Sequence, residues 1–295
     1  MIRQTDRRSF LIGAGRFAAG ALTVGATFET LRPNVARAQQ HPASSRVLDR
    51  LRTRFTFQIS VDVAKLEQGL GVASAALAGG VNIVEMGTPL LKNDGVSNVV
   101  PAFRRKFPEA LLLADMKTMD GGGFEARAVY AGGANIIDFL ALAGVDTAKA
   151  ICGVRDEFRR GNAEIPRLVF ADILVPHQGP AAQAVEVAIR MLDAGVDAVG
   201  VHLQSDARRA DPALIERNYL GDVARAIFER VGRTAPVQVV GGLSVPQAKS
   251  LAQAGLRAFV ISGNLGQPDS RARYDLPQDQ IERYIAGFIA EVSSA

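Results

Sequence analysis

Eight short β-rich runs alternate with helical stretches from Phe55 onward, and this alternation limits the possible folds more than any other feature of the sequence. The predicted strands are Phe55–Val63, Val81–Met86, Ala110–Met116, Ala134–Leu140, Arg167–Leu174, Ala198–Leu203, Val237–Val240 and Ala258–Ser262. Strands that alternate with helices are typical of parallel α/β sheets. The sequence therefore predicts an α/β fold, a (β/α)8 TIM barrel over residues 55–295, with a doubly wound open sheet as the alternative.

Recurring glycines favour the closed barrel. Gly80, Gly133, Gly195 and Gly255 each stand after a predicted helix and just before an even-numbered strand. Glycine readily adopts the left-handed conformation that ends many helices. Its recurrence at intervals of roughly 50–60 residues is what four repeated βαβα units would show.

The third predicted strand ends in charged residues. Asp115 and Lys117 are two residues apart, so they share one face of a strand, and Asp120 follows just before three glycines. Burying one such charge alone would cost several kcal/mol. The pair therefore either neutralises itself as a structural ion pair or serves a charged ligand or metal, and the spacing leaves both interpretations open.

Other acids end neighbouring strands. The first predicted strand ends near Asp62 and the second near Glu85, and active sites of TIM barrels lie at the carboxyl ends of the strands. Together with Asp115 these acids would repel one another unless a cation joined them, which indicates a divalent metal. Oxygen ligands with open positions favour Mg²⁺.

The charged group also carries a resemblance. Asp115, Lys117 and Asp120 form an Asp-x-Lys-x-x-Asp pattern, and Val84-Glu85-Met86-Gly87-Thr88-Pro89-Leu90 precedes it. These segments resemble the orotidine-5'-phosphate decarboxylase superfamily, in particular its 3-hexulose-6-phosphate synthases and 3-keto-L-gulonate-6-phosphate decarboxylases. The similarity runs in order from about Phe55 to Leu265.

The resemblance implies a magnesium-dependent carbon–carbon lyase that acts on a small phosphorylated sugar. In the synthase reaction, the enediolate of ribulose 5-phosphate adds to formaldehyde. A decarboxylase of the orotidine-5'-phosphate or keto-gulonate-phosphate type is the alternative within the superfamily. An exported sugar-binding barrel without catalysis is the alternative of another class.

The resemblance also implies roles for single residues. Glu85 and Asp115 match the metal-binding acids, and Asp62 matches a substrate-contacting aspartate. Lys117 would supply electrostatic stabilisation, and His202 would move a proton to or from the enediolate. The alternative for His202 is a buried histidine that is hydrogen-bonded in the core.

Asp120 matches an aspartate that reaches into the partner's site, so the resemblance implies a homodimer with shared active sites. The glycines after Asp120 let the backbone turn away from its own barrel. The alternative is that Asp120 caps a helix that starts near Phe124.

Two glycine-containing loops after the seventh and eighth strands are the predicted phosphate site, because glycine lets backbone N–H groups approach an anion. Its residues are Gly241, Gly242, Gly263 and Asn264. Relatives often carry arginine where Asn264 stands, and Arg208 or Arg209 could supply the missing cation. Keto-gulonate-phosphate decarboxylases carry arginine where this chain has Ser205, which weighs against that activity.

Three further residues stand at strand ends. Asp172 fits the family pattern, whereas relatives usually have a small or apolar residue near the position of Asp138. The role of Asp138 stays open. A loop histidine such as His177 is more often solvated than functional.

Residues 1–38 are predicted to be a cleavable export signal of the twin-arginine type, because Arg7-Arg8 precedes an Ala/Gly-rich stretch and Ala36-Arg37-Ala38 resembles a cleavage site. This predicts a periplasmic protein. An uncleaved anchor is the alternative, although Arg16 and the glycines make a poor membrane span, so no stable membrane insertion is expected. Residues 39–54 are predicted to be a polar lead-in with about one helical turn.

The charge balance argues against a nucleic-acid partner. The chain has 34 Lys and Arg and 30 Asp and Glu, and residues 1–38 hold six of the basic and two of the acidic residues. The remainder carries 28 of each, whereas nucleic-acid binding would need a basic face. The single cysteine, Cys152, allows no internal disulfide and is predicted to lie in the core.

Overall fold

The computed structural model describes residues 41–265 and 274–295, which form a closed barrel of eight parallel strands. The strands are β1 (Thr56–Val61), β2 (Ile83–Met86), β3 (Leu111–Thr118), β4 (Ile136–Leu140), β5 (Leu168–Val175), β6 (Ala198–Leu203), β7 (Val237–Val240) and β8 (Ala258–Ile261). Strand β1 pairs with both β2 and β8, which closes the sheet. The predicted TIM barrel is confirmed, and the open sheet was the wrong alternative.

Helices follow the strands around the barrel. Their bounds are α1 (Pro42–Thr53), α2 (Leu66–Ala78), α3 (Thr88–Asp94), α4 (Val96–Lys106), α5 (Gly122–Gly132), α6 (Gly144–Gly161), α7 (Ala181–Asp193), α8 (Ser205–Ala210), α9 (Ala213–Glu216), α10 (Tyr219–Val231), α11 (Val245–Gln253) and α12 (Gln278–Ser293), with a short 3₁₀ turn at Ala141–Ala143. The predicted glycines have left-handed φ values of 101° at Gly80, 104° at Gly133, 100° at Gly195 and 105° at Gly255. Their C-capping role is confirmed.

The helix within the lead-in segment was predicted too short. Helix α1 has three turns. Its Leu51 is 2% exposed because it packs with Ile83 and Leu113 at the N-terminal end of the barrel. Val47 and Leu48 pack against the same cluster. The segment therefore closes the N-terminal end of the barrel with apolar side chains. The export signal predicted for residues 1–38 lies outside the described residues.

Two apolar layers surround the sheet. The larger one lies between the strands and the outer helices and includes Cys152, as predicted. The last helix, α12, packs on α2 and buries Ile281, Ile285, Phe288 and Val292, while Tyr284 on the same helix is 38% exposed. Within residues 41–265 and 274–295, no helix is both long and apolar enough to cross a membrane.

Buried ion pairs stabilise the N-terminal end of the barrel. The guanidinium of Arg155, on α6, donates to Asp197 Oδ2 at 2.8 Å and to the Gly195 carbonyl at 2.7 Å. Arg159 donates to Asp197 Oδ1 at 3.0 Å. Burial opposes ionisation of Asp197, but Arg155 and Arg159 outweigh it and lower its pKa. Helix α6 is thereby joined to the start of β6.

Candidate active site

The carboxyl ends of the strands bring the predicted acids to one mouth of the barrel. Glu85 lies near the end of β2, Asp115 lies in β3, and Asp62 follows β1 directly. Glu85 and Asp115 are buried, whereas Asp62 is exposed at the rim. The mouth therefore combines two buried carboxyl groups with one that solvent reaches.

Lys117 lies at the centre of this mouth. Its ammonium is 2.6 Å from Asp115 Oδ1, 2.7 Å from Asp115 Oδ2 and 3.0 Å from Asp172 Oδ2. Burial alone would lower the pKa of Lys117, but Asp172 and Asp115 outweigh this effect and raise it well above the usual value. The lysine is therefore held as a cation between two carboxylates.

The local backbone places Lys117 there in an unexpected way. The pairing of β3 with β4 shifts between Asp115 and Thr118, and Lys117 has a φ of 48°. Bulges of this kind re-aim side chains beside active sites, and a left-handed conformation is uncommon for residues with a side chain. Asp115 and Lys117 are adjacent as predicted, but through a bulge rather than simple strand alternation.

Asp172 on β5 joins the lysine to the predicted histidine. Its Oδ2 also lies 2.8 Å from His202 Nδ1. Burial opposes ionisation of Asp172, but Lys117 and His202 outweigh it, so the pKa of Asp172 lies well below the usual value. An ionised Asp172 accepts the Nδ1 proton, which leaves His202 Nε2 for proton exchange with a ligand. Gly200 makes room for this carboxylate, because a Cβ there would clash with Asp172 Oδ1.

Glu85 belongs to a second hydrogen-bonded group on the other side of the mouth. Gln238 donates to Gln58 at 2.9 Å, and Gln58 donates to Glu85 Oε2 at 2.5 Å. Ser60 Oγ lies 2.9 Å from both Glu85 Oε1 and Asp62 Oδ2. Because a hydroxyl carries one proton, Ser60 donates to only one of these two carboxyl groups.

Two supporting residues, Gln58 and Gln238, were missed in the sequence. Gln58, Ser60 and Asp62 follow one another at intervals of two, so strand alternation predicts that they share a face. Strand alternation could therefore have identified Gln58 as a neighbour of Ser60 and Asp62. The bond between Gln238 and Gln58 joins residues 180 positions apart, and no local pattern indicates it.

Asp138 adds an unexpected buried acid. It pairs with Asp115 across the sheet, and the carboxylates of Asp115, Asp138 and Asp172 each offer an oxygen within 4.8 Å of the others. Burial, followed by the charge of Asp172, raises the pKa of Asp138 well above the usual value. One oxygen of Asp138 and one of Asp172 are buried without a hydrogen-bond partner.

The acids therefore fit a divalent cation. Burial, followed by the charges of Asp115 and Asp62, raises the pKa of Glu85 well above the usual value, and the positive charge of Lys117 does not outweigh these effects. Five carboxyl groups and one lysine approach this mouth. Carboxylate oxygens are the ligands that Mg²⁺ prefers, and an oxygen that accepts one hydrogen bond still has a lone pair for a metal.

The predicted phosphate loops lie together after the ends of β7 and β8. Asn264 Nδ2 donates to the Gly242 carbonyl at 2.9 Å, and the Gly242 N–H donates to Ser262 Oγ at 3.2 Å. Gly241 and Gly242 have φ values of 127° and 71°. Both loops, including Gly263, line a cavity of about 520 Å³ that reaches Asp62.

Two of the residues considered in the sequence lie away from this network. Asp120 is exposed, and its carboxylate accepts from the N–H of Gly121 at 2.7 Å. Helix α5 starts at Gly122 with no side-chain cap, so the capping alternative for Asp120 was wrong. His177 is exposed, as expected for a solvated loop histidine.

The chain is similar to known lyases over most of its described length. Its residues 56–263 match the Orotidine 5'-phosphate decarboxylase / HUMPS family. It is 30% identical over 208 residues to 3-hexulose-6-phosphate synthase of Mycobacterium gastri, and the match covers 70% of this chain and 89% of the relative.

Solved structures share the fold. A crystal structure of 3-hexulose-6-phosphate synthase superimposes with a TM-score of 0.62 at 25% identity, over 81% of this chain and 98% of its own. The 3-keto-L-gulonate-6-phosphate decarboxylase from Vibrio cholerae superimposes with a TM-score of 0.62 at 21% identity, over 81% of this chain and 98% of its own. The family match spans well over half of the chain. The chain belongs to the Orotidine 5'-phosphate decarboxylase / HUMPS family.

Proposed function

We propose that this barrel is a carbon–carbon lyase of the 3-hexulose-6-phosphate synthase type, which joins formaldehyde to ribulose 5-phosphate and catalyses the reverse cleavage. The observation that carries the proposal is the arrangement of Lys117 and His202 on one ionised carboxylate, Asp172. A cation and a proton-transferring ring are thereby fixed beside each other. Forming an enediolate requires a group that moves a proton and a positive charge that stabilises the oxygen anion.

Three residues have separate roles in the proposed reaction. The ammonium of Lys117 stabilises negative charge as it develops on the ligand's oxygen atoms, and because it is already held in place it costs no reorganisation. His202 Nε2 removes or returns the proton on the carbon next to the carbonyl. Asp62, at the rim, accepts a hydrogen bond from a hydroxyl group of the sugar and orients it.

Mg²⁺ is the proposed cofactor, with Glu85 and Asp115 as its protein ligands. When bound, it would polarise the carbonyl and adjacent hydroxyl oxygens of the sugar. The support is the excess of buried acids at this mouth and the pKa of Glu85, which burial and the charges of Asp115 and Asp62 raise well above the usual value.

We expect Glu85→Gln and Asp115→Asn each to weaken Mg²⁺ binding by at least about 10-fold, because each removes a charged oxygen ligand. Isothermal titration calorimetry with MgCl₂ measures this without turnover. Asp138→Asn is the matched control, since Asp138 is a buried acid of the same mouth. If Asp138→Asn weakens binding and Glu85→Gln does not, the metal lies among Asp115, Asp138 and Asp172 instead.

A substrate panel tests the proposed reaction. With Mg²⁺ present, the protein should form a hexulose phosphate from ribulose 5-phosphate and formaldehyde. It should release carbon dioxide from neither orotidine 5'-phosphate nor 3-keto-L-gulonate 6-phosphate. Release of carbon dioxide without hexulose phosphate formation would assign the chain to the decarboxylase alternative. Ser205, in place of the arginine of keto-gulonate-phosphate decarboxylases, argues against that outcome.

The exported sugar-binding barrel makes a different prediction for the same panel. A binding protein would retain its sugar without converting any of the substrates, and Lys117→Ala would change affinity alone. The buried network of Lys117, Asp172 and His202 supports catalysis over simple binding, because a charged network of this kind favours a transition state that carries charge.

A homodimer with shared sites is proposed for the working unit. Asp120 is exposed in its own barrel, and the large apolar side chains beside it are open: Met119 is 52% exposed and Phe124 is 83% exposed. Burying such side chains favours association. A two-fold interface at this loop would bring each Asp120 to the partner's site.

Subunit mixing tests the shared site. Asp120→Ala and Lys117→Ala proteins should each be inactive, and random exchange between equal pools should restore about a quarter of wild-type activity, because half of the dimers then contain one intact site. Size-exclusion chromatography with light scattering gives the oligomeric state. A fully active monomer, or no recovery despite proven exchange, contradicts the model of sites shared between subunits.

Export by the twin-arginine route to the periplasm is proposed from residues 1–38, which lie outside the described residues. Replacing Arg7 and Arg8 with lysine should leave the precursor in the cytoplasm, because this route reads the arginine pair. Cell fractionation with immunoblotting measures the distribution, and N-terminal sequencing of wild-type protein should begin near Gln39. Unchanged export of the double variant would refute the proposal.

A further inference from the structure

The cavity of about 520 Å³ extends beyond the glycine loops toward the segment after β6. The structure divides that segment into α8, α9 and α10, with breaks near Pro212 and at Asn218, whose φ is 51°. Arg208, on α8, lines the cavity together with Gly241 and Gly242.

Arg208 makes close contact with the first of these loops. Its Nη1 donates to the Gly241 carbonyl at 3.2 Å. A Cβ on Gly242 would clash with the same nitrogen, so the guanidinium occupies the space that a side chain at position 242 would fill. The arginine head is therefore seated on the loop rather than extended into solvent.

The neutral polar groups of the loops are engaged with one another. The Asn264 amide holds the Gly242 carbonyl, and the Gly242 N–H donates to Ser262. These bonds shape the loops but supply no positive charge. A phosphoryl group carries close to two negative charges at neutral pH, and hydrogen bonds to an ionised partner are roughly twice as strong as neutral ones.

We propose that Arg208 binds the phosphoryl group of the ligand, an inference that rests on the proposed function for the identity of the sugar. A guanidinium presents five donors in a planar fork, so it can hold the Gly241 carbonyl and two phosphoryl oxygens at once. Asp62 lines the same cavity. One ligand therefore reaches Asp62 with its hydroxyl groups while its phosphate lies against Arg208. The site selects sugar phosphomonoesters over neutral sugars.

Arg209 provides a matched control. It follows Arg208 directly, carries the same charge and lines the same cavity, but its side chain is 74% exposed and pairs with Asp206 at 2.9 Å. Replacing either arginine with methionine removes one positive charge from the same short helix. A general electrostatic effect would therefore be the same in both variants.

Inorganic phosphate is the probe, with acetate as a carboxylate probe, and binding is measured by calorimetry on the full-length protein without turnover. Arg208→Met should weaken phosphate binding by about 10-fold or more, Arg208→Lys should restore part of the loss, and Arg209→Met should stay within about twofold of wild type. Acetate should bind weakly and equally to all four proteins. Equal losses in Arg208→Met and Arg209→Met would overturn the proposal, as would an equally Arg208-dependent affinity for acetate.

Steady-state kinetics separates this inference from the proposed function. With ribulose 5-phosphate, Arg208→Met should raise KM by about 10-fold or more while kcat changes less, because the lost contact is made in ground state and transition state alike. Arg208-dependent phosphate binding in a protein that converts no ribulose 5-phosphate supports the inference and refutes the synthase. Full turnover with an unchanged KM in Arg208→Met refutes phosphoryl binding by Arg208 but does not contradict the proposed synthase activity.

Discussion

Lys117→Met is expected to lower kcat/KM by at least about 10³-fold, because in the proposed reaction the ammonium of Lys117 stabilises the negative charge of the developing enediolate. The same substitution leaves Asp115 and Asp172 without their shared cation in a buried site. Breaking a buried ion pair in this way typically costs about 3–5 kcal/mol of unfolding free energy. We therefore expect activity and stability to fall together.

The loss of stability in Lys117→Met should depend on pH. The pKa of Asp172 lies below its usual value in the folded protein, so in wild type this group contributes stability above the unfolded pKa that is lost as pH falls through the folded pKa. Without Lys117 the buried carboxylates favour protonation. The stability deficit of Lys117→Met should therefore be largest near pH 7 and shrink on acidification.

Urea unfolding at pH 7 and at about pH 5 measures this deficit. The control is the double variant Lys117→Met/Asp172→Asn, which removes a cation and an anion together. It should recover much of the stability and none of the activity. A Lys117→Met protein with wild-type stability and activity would show that the network of Lys117, Asp115 and Asp172 has neither role.

The second large effect is expected for Arg155→Met, which should lower the stability of the protein without changing its activity. Arg155 is 1% exposed and holds Asp197 at the N-terminal end of the barrel, just before β6 begins and away from the mouth. Removing it leaves a buried carboxylate with Arg159 as its remaining arginine. We expect a loss of about 3–5 kcal/mol in unfolding free energy.

The matched control for this prediction is Arg127→Met. Arg127 pairs with Glu157 at 2.6 Å, a shorter distance than the buried pair, but the two side chains are 56% and 49% exposed. Solvent screening limits such a pair to about 1 kcal/mol or less. Urea unfolding should separate the two variants clearly, while both retain kcat below their unfolding transitions. Equal losses would mean that burial does not set the strength of these pairs.

The fold followed from the sequence because eight strands buried on both faces leave a strong local signal. Each predicted strand overlaps an observed one. The end of β3 was extended from Met116 to Thr118 by the bulge at Lys117, and a bulge depends on the pairing of β3 with β4 rather than on local residues. Helix α1 was underestimated for a similar reason, since Leu51 is stabilised by strands that follow it in the chain.

The site was less predictable than the fold. Strand ends indicated Glu85, Asp115 and Lys117, because charges after buried runs stand out in a sequence. The supporting glutamines did not stand out, since an isolated Gln in a strand has no local signature, and Gln58 and Gln238 meet through barrel closure. Arg208 was one of two candidates for the cation of the phosphate site. Its contact with Gly242 distinguishes it from Arg209, which is exposed.

In the proposed reaction, Lys117 and His202 together generate an enediolate from a phosphorylated ketose. Proton NMR of ribulose 5-phosphate in deuterated water, with Mg²⁺ and no formaldehyde, tests it most directly, because an enediolate exchanges the proton on the carbon beside the carbonyl with solvent. The wild-type protein should replace that proton with deuterium, His202→Asn should slow the exchange by about 10²-fold or more, and Lys117→Met should abolish it. No deuterium uptake with the wild-type protein, or uptake at the wild-type rate with Lys117→Met, would contradict the claim.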